Sequence, residues 1–393
     1  MSYLPIASTR PAPVRVGLVG AGWMGAYHAR SLALHIPGAA LAAIADPALE
    51  PASALAAELG VARVTADPAD LFSDPEIDAV VIAGPARFHA QLSVDAARAG
   101  KHVFCEKPAA LTLEELAAVQ DAVAEAGVHW QIGFNRRYAA DFLAARRDIA
   151  AGAVGTPQLL RSLTRDPGTG SIPHAARVPQ WTIFLETLIH DFDALNWYNA
   201  GAEPLSVHVT ADALVEPSLK DAGFLDTAVV TVRYANGAIA VAEASFSALY
   251  GYDVRGEVFG SAGMVQAGRP TETAALRYGA GGLSAETPRL NIELFADAYR
   301  DELADFAAHV AALRGGAPAP DHGVPLTPGL DDARRALAVA LACIESAQTG
   351  AAAAVPGFAP GSPSRTGPAH DAAGSPAASA APAAAPRAAG ARA

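Results

Sequence analysis

The chain has 393 residues, room for one to three domains, and 51% of them are hydrophobic, ample for substantial cores. A formal net charge of −12 excludes nonspecific nucleic-acid binding through a basic surface. Cys105 and Cys343 are too far apart in sequence to suggest a metal-like pair or a disulfide framework, and no apolar run suggests a signal peptide or membrane span, so a cytoplasmic protein is expected.

Residues 1–12 read as a loose arm, and residues 13–135 as a unit in which apolar runs alternate with helical ones. Strands are expected at 14–19, 39–45, 62–65, 79–83, 102–105 and 128–132, with helices near 23–35, 51–59, 88–99 and 112–126. This rhythm predicts a doubly wound parallel sheet, the Rossmann arrangement, covered on both faces. The first strand runs into "GAGWMG" and then directly into a helix. Gly20 permits a tight turn, Gly22 leaves the backbone open to a ligand, and Gly25 lets the helix pack close to the strand. The free N–H groups of that helix favour an anion. Asp46 ends the second strand, where a carboxylate accepts hydrogen bonds from an adenosine ribose and repels a 2′-phosphate. NAD is therefore expected over NADP. The fifth strand ends in "HVFCEKP", which puts Lys107 at the ligand-binding edge of the sheet. A lysine there can stabilise developing alkoxide charge.

From 136 to 350 the pattern changes. After a helix at 138–151, long strands are expected at 157–164, 204–213, 226–234, 238–248 and 252–260, a mainly antiparallel open sheet. "YANGA" and "FGSAGM" are hairpin signals. One amphipathic helix is expected at 184–199, and helices at 291–313 and 328–348 close this second α/β domain. In "FLETLIHDFDALNWY", helical spacing brings Glu186, His190 and Asp193 close to one face. An imidazole suits proton acceptance near neutrality, and Glu186 is expected to support its charged form. His174, His190 and Asp193 show no recognisable ligand pattern, so no metal is expected. Residues 351–393 are rich in alanine, proline, glycine and serine and read as a disordered tail.

"GLVGAGWMGAYHA", "FCEKP", "QIGFNRRY" and "LIHDFD", in this order, resemble the glucose–fructose oxidoreductase/inositol dehydrogenase/rhizopine-catabolism (Gfo/Idh/MocA) family over residues 13–350. "ALYGYDVRGEVFGSAGMV" and "FADAYRDELADF" point to its inositol 2-dehydrogenase branch. The resemblance implies a cofactor site drawn from Gly20, Gly22, Trp23, Met24, Gly25, Asp46, Gly84, Pro85, His89, Glu106 and Lys107. It implies Lys107, His190 and Glu186 as catalytic residues, and Arg136, Asp166, Asp193, Tyr250 and Tyr252 as substrate contacts. It also implies a homodimer or homotetramer formed through the second domain's sheet. Glu186 stands where the family commonly has aspartate, and "LTRDPGTG" and "PQWTIF" depart from the inositol dehydrogenase pattern, so Thr164, Asp166 and Trp181 are expected to reshape the pocket. The expected activity is NAD-dependent oxidation of a cyclitol hydroxyl to a ketone. A pyranose or anhydro sugar dehydrogenase is the alternative substrate reading, and a nucleotide-sensing regulator without turnover is the alternative in class.

Overall fold

The computed structural model describes residues 12–168, 180–315 and 318–358; the expected arm up to residue 11, His174 and the expected tail beyond 358 lie outside the described residues. Short runs rich in valine, isoleucine and alanine form Val14–Val19 (β1), Ala39–Ala45 (β2), Val64–Thr65 (β3), Ala79–Ile82 (β4), His102–Cys105 (β5) and Trp130–Ile132 (β6). All six pair in parallel in the order β3-β2-β1-β4-β5-β6. Such a sheet must be covered on both faces. Trp23–Leu34 (α1) and Leu49–Leu59 (α2) pack into one core, and Ala69–Phe72 (α3), His89–Arg98 (α4) and Leu113–Ala126 (α5) into the other. The strand order reverses between β1 and β4, so a crevice opens at their C-terminal ends.

A second sheet holds seven strands in the order β12-β11-β7-β10-β9-β8-β15. They are Pro157–Arg165 (β7), Pro204–Asp212 (β8), Thr227–Tyr234 (β9), Ile239–Ser245 (β10), Asp253–Gly260 (β11), Met264–Ala267 (β12) and Ala353–Ala354 (β15). Only β7 and β10 pair in parallel. Asn236-Gly237 turns β9 into β10, with Gly237 at φ 87°, and the "FGSAGM" hairpin joins β11 to β12. Alternate residues of β9 are buried, as expected for a sheet with one face on a core. Ala140–Ala150 (α6), Ile189–Tyr198 (α7) and Leu330–Thr349 (α10) supply the opposing apolar side chains. Among the described residues, no helix is long and apolar enough to cross a membrane.

Four expectations change. The single helix at 184–199 is a π-helical turn, Ile183–Thr187, followed by α7. The helix at 291–313 breaks at Phe295 into Asn291–Leu294 (α8) and Ala296–Leu313 (α9). Helix α9 then returns to the first sheet: Leu303, Phe306 and Val310 pack with Val14, Val16 and Leu18, and Phe306 meets Phe104 edge-on with ring centroids 5.8 Å apart. A solvent-exposed hairpin, Leu276–Gly279 (β13) with Gly282–Ala285 (β14), was not expected, because its exposed side chains carry no burial pattern. The tail expected from 351 begins too early. Ala353–Ala354 adds a strand to β8, Val355 and Phe358 are buried, and Arg334 lies 4.3 Å over the Phe358 ring. Two large apolar side chains and a short ladder outweigh the alanine-rich composition of these eight residues.

This docking has a measurable consequence. Full burial of a valine or phenylalanine side chain stabilises by about 1.5–3 kcal/mol. A chain ending at Gly350 should be about 3–6 kcal/mol less stable to urea than one ending at Phe358. Equal stability of the two would show that the added strand contributes nothing.

Candidate active site

A cleft of about 780 Å³ runs between the C-terminal edge of the first sheet and the π-helical turn. Gly84 lines it, and Gly20 and Gly25 set the tight turn packed beside Gly84. Gly20 has φ +94°, and a Cβ there would lie 2.7 Å from the Gly84 nitrogen. A Cβ on Gly25 would overlap the Gly20 carbonyl oxygen, so close helix–strand packing requires glycine. Around Gly22 and Gly84, by contrast, a Cβ would meet nothing within 4 Å. Gly22 caps α1 without a side-chain hydrogen bond, and the first turn of α1 holds no acidic residue. Its N–H groups are open to an anion such as a diphosphate. Asp46 accepts hydrogen bonds from the backbone N–H groups of Ala21 and Ala48, each at 2.7 Å, and so braces the glycine turn at the end of β2. These features fit a dinucleotide.

Trp23, Met24, Gly84, Pro85, His89, Glu106 and Lys107 line the cleft, as do Glu186, His190, Arg136, Asp166, Thr164 and Tyr252. Lys107 follows β5, and its Nζ donates to the backbone carbonyl of Glu186 at 3.2 Å. That carbonyl lies in the π-helical turn, where Leu188 N–H bonds to Ile183 O five residues back. Such wide turns displace carbonyls from their helical partners. Trp181, just before the turn, has φ 64° and stacks on Phe184. Left-handed backbone at a bulky residue costs about 1–2 kcal/mol, which the packing around the turn must offset.

His190 is the next change from expectation. Among the described residues its Nδ1 has no hydrogen-bond partner, and its ring meets Phe134 edge-on with centroids 6.0 Å apart. The expected carboxylate–imidazole row does not form, because the π turn interrupts the regular spacing that would stack Glu186 on His190. Burial, then Lys107 and Arg136, push the His190 pKa well below its ordinary value, so the imidazole is neutral near pH 7.

Asp193 is corrected as a cleft residue. It is buried in an ion pair with Arg137, accepting from Nε at 2.9 Å and from Nη2 at 2.5 Å, and Arg137 also reaches Asp332. Burial raises Asp193 to about 6 against the opposing pull of Arg137. Its neighbour Asp191 serves the cleft instead, through the first arginine of "NRRY". Asp191 Oδ1 accepts from Arg136 Nη1 at 2.7 Å and from Ser162 at 2.5 Å, while Thr164 donates to Oδ2 at 2.7 Å. Tyr250 is the second correction. It is half-exposed, donates to Asp253 at 2.7 Å and does not line the cleft, whereas Tyr252 does. Burial and Asp166 raise the Tyr252 pKa, and burial raises that of Asp166.

Sequence reasoning named Glu106 but missed its buried neighbours His28 and Glu302. His28 Nε2 lies 2.7 Å from Glu106 Oε1, and Lys107 N–H donates to Glu106 Oε2 at 3.1 Å. Glu302 of α9 is wholly buried beside this pair, and neither of its carboxylate oxygens has a partner among the described residues. Its only advance sign was a glutamate on the apolar face of "FADAYRDELADF". Burial, then the negative charge of Glu106, raise its pKa well above the ordinary range. Glu302 is therefore a neutral acid near pH 7.

A doubly wound sheet whose reversal point opens on a glycine-lined cleft holding a lysine and a buried histidine defines an NAD-binding oxidoreductase. The chain belongs to the Gfo/Idh/MocA family. Residues 14–134 match the family model described as "Oxidoreductase family, NAD-binding Rossmann fold", and residues 142–266 match the "GFO/IDH/MocA C-terminal domain". The chain is 36% identical to myo-inositol 2-dehydrogenase of Thermotoga maritima over 76% of its own length and 88% of that protein. It is 38% identical to the NAD(+)-dependent scyllo-inositol 2-dehydrogenase of Bacillus subtilis, over 64% and 73% respectively. The crystal structure of Lactobacillus casei scyllo-inositol dehydrogenase with bound NAD(H) and scyllo-inositol superposes with a TM-score of 0.80 at 28% identity, covering 87% of this chain and 99% of that one.

The Glu302 environment sets a pH dependence. Because its folded pKa is raised, its protonated form is favoured by folding; its contribution is greatest below the unfolded value of about 4.3 and falls as pH rises above it. Glu302→Gln removes that loss. The Tm of the variant relative to the parent should therefore be higher at pH 8 than at pH 5. The same Tm difference at both pH values would contradict a neutral Glu302.

Proposed function

We propose that this protein oxidises a secondary hydroxyl of an inositol-type cyclitol to a ketone with NAD. The observation that carries this reading is that a buried, neutral His190 and the lysine that, after burial, depresses its pKa share one cleft with Trp23 and Met24, which open α1 directly after the glycine turn. When bound, NAD supplies the hydride-accepting carbon. Gly20, Gly22 and the start of α1 would hold its diphosphate and Asp46 its adenosine ribose, and the residues from Gly84 to Pro85 and from Glu106 to Lys107 would line the rest of its path. The substrate hydroxyl gives its proton to His190 as its carbon gives up a hydride, so two electrons leave with the hydride and a C=O bond forms. Lys107 donates to that oxygen and stabilises its developing charge.

Glu186 acts first through its backbone, whose carbonyl steadies Lys107; its carboxylate, which has no hydrogen bond among the described residues, is placed to meet a substrate hydroxyl. Arg136, Asp166 and Tyr252 offer further donors and acceptors. A polyol-matching wall of this kind discriminates strongly, because a missing hydroxyl leaves a buried polar group unpaired. Ile239, Leu159 and Phe259 lie side by side across three strands with exposed side chains, which supports assembly of a homo-oligomer through the second sheet. A cytoplasmic setting completes the reading.

The direct test follows reduced nicotinamide by absorbance across myo-inositol, scyllo-inositol and a set of aldoses. A cyclitol should give the highest kcat/KM. Turnover of aldoses alone would overturn the cyclitol reading. Within the site, His190→Ala should keep near-normal NAD affinity and lose about 10²–10⁴ in kcat, the usual worth of a general base. Glu186→Gln keeps the backbone carbonyl and should cost less than about 10-fold in kcat, since one hydrogen bond is worth about 1 kcal/mol. A Glu186→Gln loss as large as that of His190→Ala would put the carboxylate on the proton path.

A further inference from the structure

His89 opens α4 and is almost wholly buried, yet both of its ring nitrogens are engaged. Nδ1 lies 2.8 Å from the carbonyl oxygen of Pro108, and Nε2 lies 2.7 Å from that of Gly84. A backbone carbonyl can only accept a hydrogen bond, and a neutral imidazole carries a single N–H. One contact would then place a bare nitrogen lone pair against a carbonyl oxygen, a repulsive arrangement in a buried site. Both contacts are hydrogen bonds only if the ring carries two protons.

The two carbonyls belong to the loops that follow the adjacent strands β4 and β5, Gly84 in the cleft lining and Pro108 next to Lys107, which also lines it. Gly84 follows β4, and its backbone is packed so closely on Gly20 that a Cβ on Gly20 would meet it. Pro108 follows Lys107, whose Nζ is held by the Glu186 carbonyl. The ring thus bridges the glycine-turn side of the cleft to the lysine side. We propose that His89 is an imidazolium at neutral pH that clamps the Gly84 loop to the Lys107–Pro108 turn, and is a positioning residue for both cofactor and lysine. Its role toward the cofactor rests on the cleft being the NAD site, while its charge state does not.

The surrounding groups agree. Burial opposes the charge, but Cys105 on β5 and the two carbonyls outweigh it and raise the His89 pKa to about 9. Cys105 Sγ lies 3.3 Å from the Glu106 carbonyl oxygen, and Arg87, Glu106 and Lys107 are the other ionisable groups of this wall among the described residues. Above pH 9 the ring must give up one N–H, and one side of the clamp with it.

The test reads the ring directly. Histidine is labelled with ¹⁵N in the full-length protein, and the His89 resonances are assigned by their loss in His89→Gln. Both ring nitrogens should show imidazolium shifts at pH 7.5 and titrate near pH 9. A neutral ring at pH 7.5 would overturn the proposal. If His89→Gln does not fold, Cys105→Ser assigns the ring by perturbing its neighbour, and the shift at pH 7.5 still decides. In NAD titrations, the parent should weaken above pH 9, and His89→Gln should bind on the order of 10-fold more weakly at pH 7.5 without that alkaline limb, as expected for loss of one or two charge-assisted hydrogen bonds. Identical affinity and pH profile in the two proteins would contradict the positioning role. Absence of NAD binding in the parent would instead refute the cofactor reading and leave the charge state measured.

Discussion

The hydrogen bond from Lys107 Nζ to the Glu186 carbonyl joins the nucleotide-binding sheet to the turn that leads into the helix carrying His190. Lys107 arrives on the end of a parallel strand, as part of a sheet built to bind a dinucleotide. Glu186 arrives in a turn that leads into the helix carrying His190. Without the wider π-helical spacing at Ile183–Thr187 that carbonyl would be directed along the helix, and the lysine would lack this anchor. Its effect reaches further: the same ammonium group helps keep His190 uncharged, and an uncharged imidazole is the form that accepts a proton.

A second constraint is charge held away from water. Arg136 with Asp191 and Arg137 with Asp193 are buried ion pairs at or near the cleft, and His28 with Glu106 is a buried hydrogen-bonded pair. Buried pairs seldom add much net stability, since desolvation offsets attraction. They fix geometry, because moving one partner leaves an uncompensated charge. Arg136 is pinned by Asp191 and Thr164, and so presents a fixed set of donors to the cleft. The return of α9 to the first sheet places Glu302 under Glu106 and ties the closing part of the chain to the cofactor wall.

Much of this was legible in sequence. The glycine spacing, Asp46, the strand ending in Lys107 and the hairpin at Asn236-Gly237 rest on local rules, and local rules act within a few residues. What escaped depends on distant partners. "HDFD" offers two aspartates, and nothing local says that Asp191 meets Arg136 while Asp193 meets Arg137. "ETLIH" has the spacing of a regular helix; only the surroundings of the turn make it π-helical and separate Glu186 from His190. Tyr250 and Tyr252 are two apart, so the alternation of an extended chain sends them to similar sides, but the loop before β11 turns the first outward to Asp253. The alanine-rich segment after residue 350 looked unable to order, yet Val355 and Phe358 find a pocket made by other elements.

The central claim is that the carbinol hydrogen leaves as hydride within this cleft while His190 takes the hydroxyl proton. It is tested most directly by single-turnover reduction of NAD with the preferred cyclitol, unlabelled and deuterated at its reacting carbon, followed across pH. The account predicts slower nicotinamide reduction with the deuterated substrate. It also predicts an acid limb below the ordinary histidine value of about 6.5, because burial, Lys107 and Arg136 depress the His190 pKa. Equal single-turnover rates for the two substrates, with the same rates in His190→Ala at every pH, would contradict it.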